Sequence, residues 1–445
     1  MKTLKKLVEY GFYLFIFLLP WQTRLIWRDA TLNGFTYEYG RASLYGTQIL
    51  LWVLLLLGVV ILFKTKLPAA SVNQFLYHLS RPAGLIYCLL VGGLLVATLS
   101  ILWAIDSDIA LYRAVVLLQG GALFALVVHL PFRLERLAIS WVSSAVIQSV
   151  FAVWQFFTLQ APAAKWLGLA EHLPTVAGSI IVQTSSERWL RAYGSLPHPN
   201  ILGGFLTIAL LLVVLLAFQA KSRIQRLLVA ASLLIITPAL FLSFSRSAWI
   251  AAAVTFILLG AWIFRRHVAD STQTFGFIVT TIVVTVGVLT GLLFEPTMTR
   301  VLGSEQHELD SIQLRLDYQH QAWELITARP FGGVGIGNYT VAINRLIDST
   351  WSGYLYQPVH NIYFLIASEI GVVGFSFFAL AFCLLVFGLL RRADRLGNVI
   401  LFLALGAILI IGMVDHYWWS LEFGVIVFWL FLALNLRILR NLDSS

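Results

Sequence analysis

Apolar residues run along this chain in long, nearly uninterrupted blocks, each closed by a polar connection. A bilayer-spanning helix takes about 20 apolar residues. On that measure the pattern predicts about twelve spans, near residues 7–24, 44–63, 84–104, 111–131, 137–157, 199–218, 227–245, 248–264, 275–294, 361–390, 398–414 and 420–436. The tenth is longer than a crossing needs, which predicts a tilt or an interfacial start. Two connections break the rhythm, roughly residues 158–198 and 295–360, and loops of that length normally have a task. They hold Trp166, Trp189, Trp323 and Trp351, so they are not low-complexity linkers. Within the second, "DSIQLRLDYQHQAWELITARP" predicts an amphipathic helix, capped at Asp310 or Ser311 and ended by Arg329-Pro330. The glycine-rich "PFGGVGIGNY" follows and reads as a flexible turn. The expectation is one polytopic membrane domain over residues 1–445, all-α, with two outer loops of which the larger is partly helical.

Composition closes off the soluble alternatives. Hydrophobic residues make up 59% of the 445 positions and charged residues 11%, against about 25% charged in a soluble domain. Cys88 and Cys383 both fall inside apolar runs and read as packing residues rather than a disulfide or a metal pair. The start, "MKTLKKLVEYGFYLFIFLLPWQ", has the basic and apolar regions of a signal peptide but no small-residue cleavage pattern, so it reads as the first span.

The net charge of +9 changes the picture only through its distribution. Lys2, Lys5, Lys6, Lys64, Lys66, Arg81, Arg133, Arg136, Lys221, Arg223, Arg226, Arg265, Arg266, Arg391, Arg392, Arg395, Arg437 and Arg440 all fall on one set of connections. Asp29, Asp106, Asp108, Glu187, Glu295, Glu308 and Asp310 fall on the other. By the positive-inside bias the first set is cytoplasmic, with both termini. The excess charge is then explained by topology, and no nucleic-acid partner is needed.

Four polar features fall on the outer side. "RAYGSLPHPNILGGFL" brings Arg191, His198 and Asn200 to the mouth of the sixth span. "SFSRSAW" puts Arg246 in a tight turn, where the charge bias disfavours an arginine. Arg315 lies in the helical part of the large loop. "QPVHNIYFLIASEIG" sets His360 and Asn361 at the start of the tenth span, with the intramembrane acid Glu369 further along. Singly, each has a plain structural reading: an interfacial anchor for Arg246, solvated or salt-bridged arginines at 191 and 315, a hydrogen-bonding His198, a belt histidine at 360. Together they match an anionic substrate held at the membrane surface. A guanidinium grips phosphate with a rigid two-pronged fork, and a neutral imidazole takes a proton from a hydroxyl near neutral pH. That pairing fits glycosyl transfer from a lipid-diphosphate sugar. Zinc-type His/Cys spacing is absent, "GGVGIG" lacks the lysine of a phosphate loop, and the pair Asp106 and Asp108 reads as solvated rather than metal-binding.

The segments "RAYGSLPHPNILGGFL", "FLSFSRSAWIA", "RLDYQHQAWELITARPFGGVGIGNY" and "HNIYFLIASEIGVVGF", in that order, resemble the O-antigen ligase and polymerase superfamily across roughly Arg191 to Gly374. The resemblance implies a membrane glycosyltransferase of the GT-C type in a bacterial inner membrane, its active site facing the periplasm, using neither metal nor other cofactor. The implied donor is an undecaprenyl-diphosphate-linked glycan. The implied acceptor is lipid A–core for a ligase or a second lipid-linked glycan for a polymerase. On that pattern Arg191, Arg246 and Arg315 bind the donor diphosphate and His360 activates or positions the acceptor hydroxyl, with His198, Asn200, Asn361 and Glu369 in support. A protein O-oligosaccharyltransferase is a further branch, echoed by His198-Pro199-Asn200, although the chain ends soon after the last span without that branch's extra C-terminal part. A transporter or flippase of lipid-linked sugars is the alternative from another class. It calls for polar groups at mid-bilayer, and only Glu369 and Glu422 meet that description.

Overall fold

The computed structural model describes residues 1–64, 81–266, 269–303, 306–390 and 395–443. Lys66, Arg391 and Arg392 of the charge pattern lie outside them. Fourteen helices carry the architecture: α1 (Lys2–Leu18), α2 (Gly46–Lys64), α3 (Pro82–Leu99), α4 (Ser107–His129), α5 (Leu134–Thr158), α6 (Pro199–Gln219), α7 (Arg223–Leu242), α8 (Arg246–Arg265), α9 (Ala269–Leu292), α10 (Phe294–Leu302), α11 (Gln306–Ala328), α12 (Ile362–Leu390), α13 (Leu396–Gly412) and α14 (Glu422–Asp443). Ten of these, among the described residues, are long and apolar enough to cross a membrane. The two 17-residue helices α1 and α13 lie where the remaining two spans are expected but are shorter than the usual crossing helix, so ten of the twelve expected spans are found as membrane-length helices among the described residues. Sheet is confined to short antiparallel ribbons, Arg24–Arg28 with Ala42–Tyr45, Thr31–Leu32 with Phe35–Thr36, and Ile181–Gln183 with Arg188–Leu190.

Two helices form the centre. A helix apolar on every side has no face for water and is buried all round or lipid-bathed. In α6 83% of the spanning window is buried and in α14 94%, whereas α9 buries 11% and lies at the periphery. The central pair matters for the site, because α6 begins directly after His198 and α14 directly follows the "DHYWWSL" turn.

The long tenth span has a specific cause. Helix α12 is broken at Gly371, which takes φ 71° and ψ 173°. A side chain there would bring Cβ within 2.0 Å of the Phe331 carbonyl oxygen. Backbone polar groups freed at membrane depth must find partners inside the protein, and the glycine-rich turn provides them. Val334 N–H donates to the Ser368 carbonyl at 3.0 Å, Gly335 N–H to that of Glu369 at 2.8 Å, and Val372 N–H to that of Pro330 at 2.7 Å. "PFGGVGIG" is therefore a packed insert that closes a helix break, not the flexible turn its composition suggests. Gly337, at φ 70°, lies so close to Arg113 that an added Cβ would stand 2.4 Å from its Cγ.

In the large loop, α11 ends at Ala328, where Arg329-Pro330 was expected to stop it. Its start is about a turn earlier than a cap at Asp310 or Ser311 implies, because Gln306 to Leu309 are themselves competent helix formers.

Candidate functional site

The end of the bundle where α6, α8, α12 and α14 begin gathers the polar residues. Arg191 follows the Arg188–Leu190 strand and is almost fully buried, 3% exposed. Its Nε donates to the Ser243 carbonyl at 2.8 Å and its Nη2 to Asn200 Oδ1 at 2.7 Å. Asn200 Nδ2 donates in turn to Asp415 Oδ2 at 2.8 Å, and Asp415 Oδ1 accepts the His416 backbone N–H. A guanidinium, an amide and a carboxylate thus tie the Arg191 loop, the start of α6 and the turn before α14 into one line.

His198 is the N-cap of α6, its Nδ1 accepting the Asn200 N–H at 3.0 Å. That bond assigns the ring proton to Nε2. Arg246 opens α8 behind a capping Ser245, and its Nη1 donates to the Arg300 carbonyl at 3.3 Å. Arg300, buried in α10, donates from Nε to the Phe244 carbonyl at 2.9 Å. Two arginines therefore brace the turn that joins α7 and α8.

Arg315 differs from these. It is half-buried on α11, and among the described residues it makes no hydrogen bond or ion pair. Its charge instead faces His198, His360 and His416. Tyr318, three residues on and therefore on the same helix face, stacks its ring on His360 with centroids 5.8 Å apart and planes 9° from parallel. The edge of His416 meets the His360 ring at 4.9 Å. Asn361 caps α12, its Oδ1 accepting the N–H groups of Tyr363 and Phe364 at 3.0 and 3.2 Å, which fixes the backbone beside His360. The Nδ1 of His360 is buried without a hydrogen-bond partner among the described residues.

Burial, followed by the neighbouring His416 ring and then by the charge of Arg315, holds the His360 pKa well below the ordinary 6.5. Burial and the field of Arg191 and Arg315 do the same to His198. His416 is pushed down to about 4, burial outweighing the opposing attraction of Asp415. In all three rings these effects favour the neutral form.

Glu369 is held elsewhere. Its Oε2 accepts the Trp419 indole N–H at 2.8 Å and it faces the backbone N–H groups of Gly337 and Tyr339. It lines a small cavity with Arg113, Tyr39 and Ser420, and there it anchors the glycine turn to the broken helix. Asp106 is occupied as well: it caps α4 through the Ile109 N–H and pairs with Arg28 through two bonds of 3.1 and 2.9 Å.

Of the residues expected from the sequence, Arg191, His198, Asn200, Arg246, Arg315, His360 and Asn361 lie at this end of the bundle, and Glu369 lines the small cavity next to the His416 turn through its bond to Trp419. The sequence reading passed over Asp415, His416, Tyr318 and Arg300. A signal for the first two was present: "VDHYWWS" is a polar interruption between the last two apolar runs. Arg300 lies in the long 295–360 connection, where the charge bias that singles out Arg246 in its short turn is weaker. Tyr318 has no sequence signal, since its role comes from stacking on a ring 42 positions further along the chain.

Residues 230–379, about a third of the chain, match the family model described as O-Antigen ligase. The match takes in Arg246, Arg315, His360 and the break at Gly371, and leaves Arg191, Asn200 and His416 outside. It bears out the resemblance to the O-antigen ligase and polymerase superfamily and supports that general type of activity, with lipid-linked glycans and membrane lipids as the substrate setting. No curated protein matches the chain.

Proposed function

We propose, from the match of residues 230–379 to the O-antigen ligase family model, that this multi-pass membrane protein transfers a glycan from an undecaprenyl-diphosphate carrier to an acceptor hydroxyl at the membrane surface. The observation that carries this reading is Arg315, a guanidinium without a hydrogen bond among the described residues, whose charge acts on a His360 ring with no hydrogen-bond partner at Nδ1 among the described residues. A half-buried charge of this kind is poised for an anion.

In the proposed reaction the bond between the sugar's anomeric carbon and the diphosphate oxygen breaks, and the acceptor oxygen forms the new bond to that carbon. Negative charge grows on the leaving diphosphate, where Arg315 and Arg246 stabilise it from fixed positions. Arg191, held by Ser243 and Asn200, adds its charge from beneath and keeps the mouth of α6 in register. His360 takes the hydroxyl proton and passes it to solvent or to the departing diphosphate. Its low basicity in the free protein is consistent with this role. An anion bound against Arg315 cancels part of the field that depresses the ring, so the base strengthens when the donor is in place.

Arginines rather than a divalent ion neutralise the diphosphate in this scheme, so transfer is metal-independent. The lysine and arginine pattern supports a bacterial inner membrane setting with cytoplasmic termini and a periplasmic site. A reconstituted assay tests the reading: undecaprenyl-diphosphate oligosaccharide in liposomes, offered lipid A–core in one arm and a second donor molecule in the other. Wild type extends one acceptor, which names ligase or polymerase, and His360→Ala extends neither. Movement of labelled donor across the bilayer with no product in either arm would replace the enzyme reading by a transporter.

A further inference from the structure

At the end of the bundle opposite His360, a cavity of about 270 Å³ opens between the starts of α5 and α13 and the end of α14. Arg133, Arg395 and Arg437 line it together with Asn398, and apolar side chains such as Phe132 and Leu401 form the rest of its wall. Among the described residues no carboxylate lines it, and Glu135, two positions from Arg133, lines a different cavity. Arg133 and Arg395 are exposed, and although their backbones are hydrogen-bonded, as Arg133 N–H is to the Tyr13 hydroxyl, their guanidinium groups make no hydrogen bond or ion pair with any described residue. Arg437 uses one N–H on the Leu130 carbonyl at 3.1 Å, which fixes it in place with further donors to spare.

Two backbone features reinforce the side chains. Arg133 and Arg395 are the N-cap residues of α5 and α13, and neither helix start has a side-chain cap. The positive ends of two helix dipoles therefore lie at the same cavity as three guanidinium groups. A generic cytoplasmic charge excess scatters arginines in solvent. Here they converge on a built concavity whose remaining wall is hydrocarbon. Such a basic pocket between spanning helices suits an anionic lipid headgroup with its acyl chains along the apolar wall.

We propose that this cavity is a binding site for the phosphate headgroup of one anionic phospholipid, in the leaflet opposite the transfer site. The proposal stands independently of the transfer reaction. The full-length protein, delipidated in detergent, is titrated with phosphatidylglycerol or phosphatidylcholine. Binding is read by native mass spectrometry and by melting temperature. One phosphatidylglycerol is retained and raises the melting temperature, while phosphatidylcholine does neither. The double variant Arg133→Gln/Arg395→Gln breaks no side-chain hydrogen bond or ion pair to a described residue and is expected to fold, which its lipid-free melting temperature checks. Its affinity for phosphatidylglycerol drops about thirtyfold. Equal binding of the two lipids, or full binding by the double variant, overturns the proposal. A melting shift produced as well by inorganic phosphate in a phosphatidylcholine background overturns the lipid assignment and makes the site one for free phosphate.

Discussion

Arg315 and His360 show how little of a residue's chemistry is set by its type. The protein has several arginines at the same end of the bundle, and Arg191, Arg246 and Arg300 all brace backbone carbonyls. Arg315 alone among these is without a hydrogen bond to a described residue. If its fork is what grips the diphosphate, Arg315→Lys keeps the charge and still loses at least about tenfold in turnover, because an ammonium cannot make the planar two-pronged contact. Full turnover in that variant removes Arg315 from the donor site. The histidine leads to a pH prediction with a definite sign. A folded-state pKa well below 6.5 keeps His360 neutral as pH falls through 6, so the acid limb of kcat/KM, which reports the free enzyme, lies well under 6.5. Donor diphosphate beside Arg315 raises the ring's pKa, so the acid limb of kcat lies at higher pH than that of kcat/KM. The two pH–rate profiles measured on one preparation decide it: coincident limbs argue against a base whose strength the donor restores.

Among the elements, α12 carries the most information. Its first turn is set by the Asn361 cap, its ninth residue before the break is followed by a left-handed glycine, and the glycine turn is hydrogen-bonded into that break. Asn361→Ala removes two accepted hydrogen bonds at the helix start and is expected to lower stability by about 1 kcal/mol, read as a fall in the denaturation midpoint. Gly371→Ala is far worse, since its Cβ meets a backbone carbonyl at 2.0 Å and its φ is positive. It is expected to abolish folded protein in detergent extracts. The matched control is Gly291→Ala in α9, where a Cβ meets nothing within 4 Å and the extract is unaffected. If the two variants behave alike, the break in α12 is not a requirement of the fold.

The whole molecule places its chemistry at one end and its basic cavity at the other, joined by the buried helix α14. Metal dependence is a property at this scale, because it depends on whether arginines drawn from separate elements suffice for a diphosphate. We expect EDTA to leave transfer unchanged in the liposome assay. Inhibition that a divalent ion reverses would mean that carboxylates such as Asp108 take part.

Hydrophobic block length was enough to read the spans, since a bilayer demands the same run of apolar residues wherever it is crossed and the demand is local. The stop of α11 at Arg329-Pro330 was legible for the same reason, as proline geometry acts on its immediate neighbour. The candidate residues could be named because charge on the outer side of a short turn is anomalous without knowledge of the fold. Their division of labour could not be read that way. Whether a guanidinium is consumed by a carbonyl or left facing a ring depends on which helix starts meet, and those starts lie up to 215 positions apart, as Asn200 and Asp415 do. The neutrality of three histidines, the packing of the glycine turn into a broken span, and the convergence of Arg133, Arg395 and Arg437 on one cavity come from desolvation and long-range contact. Those exist only once the helices have assembled.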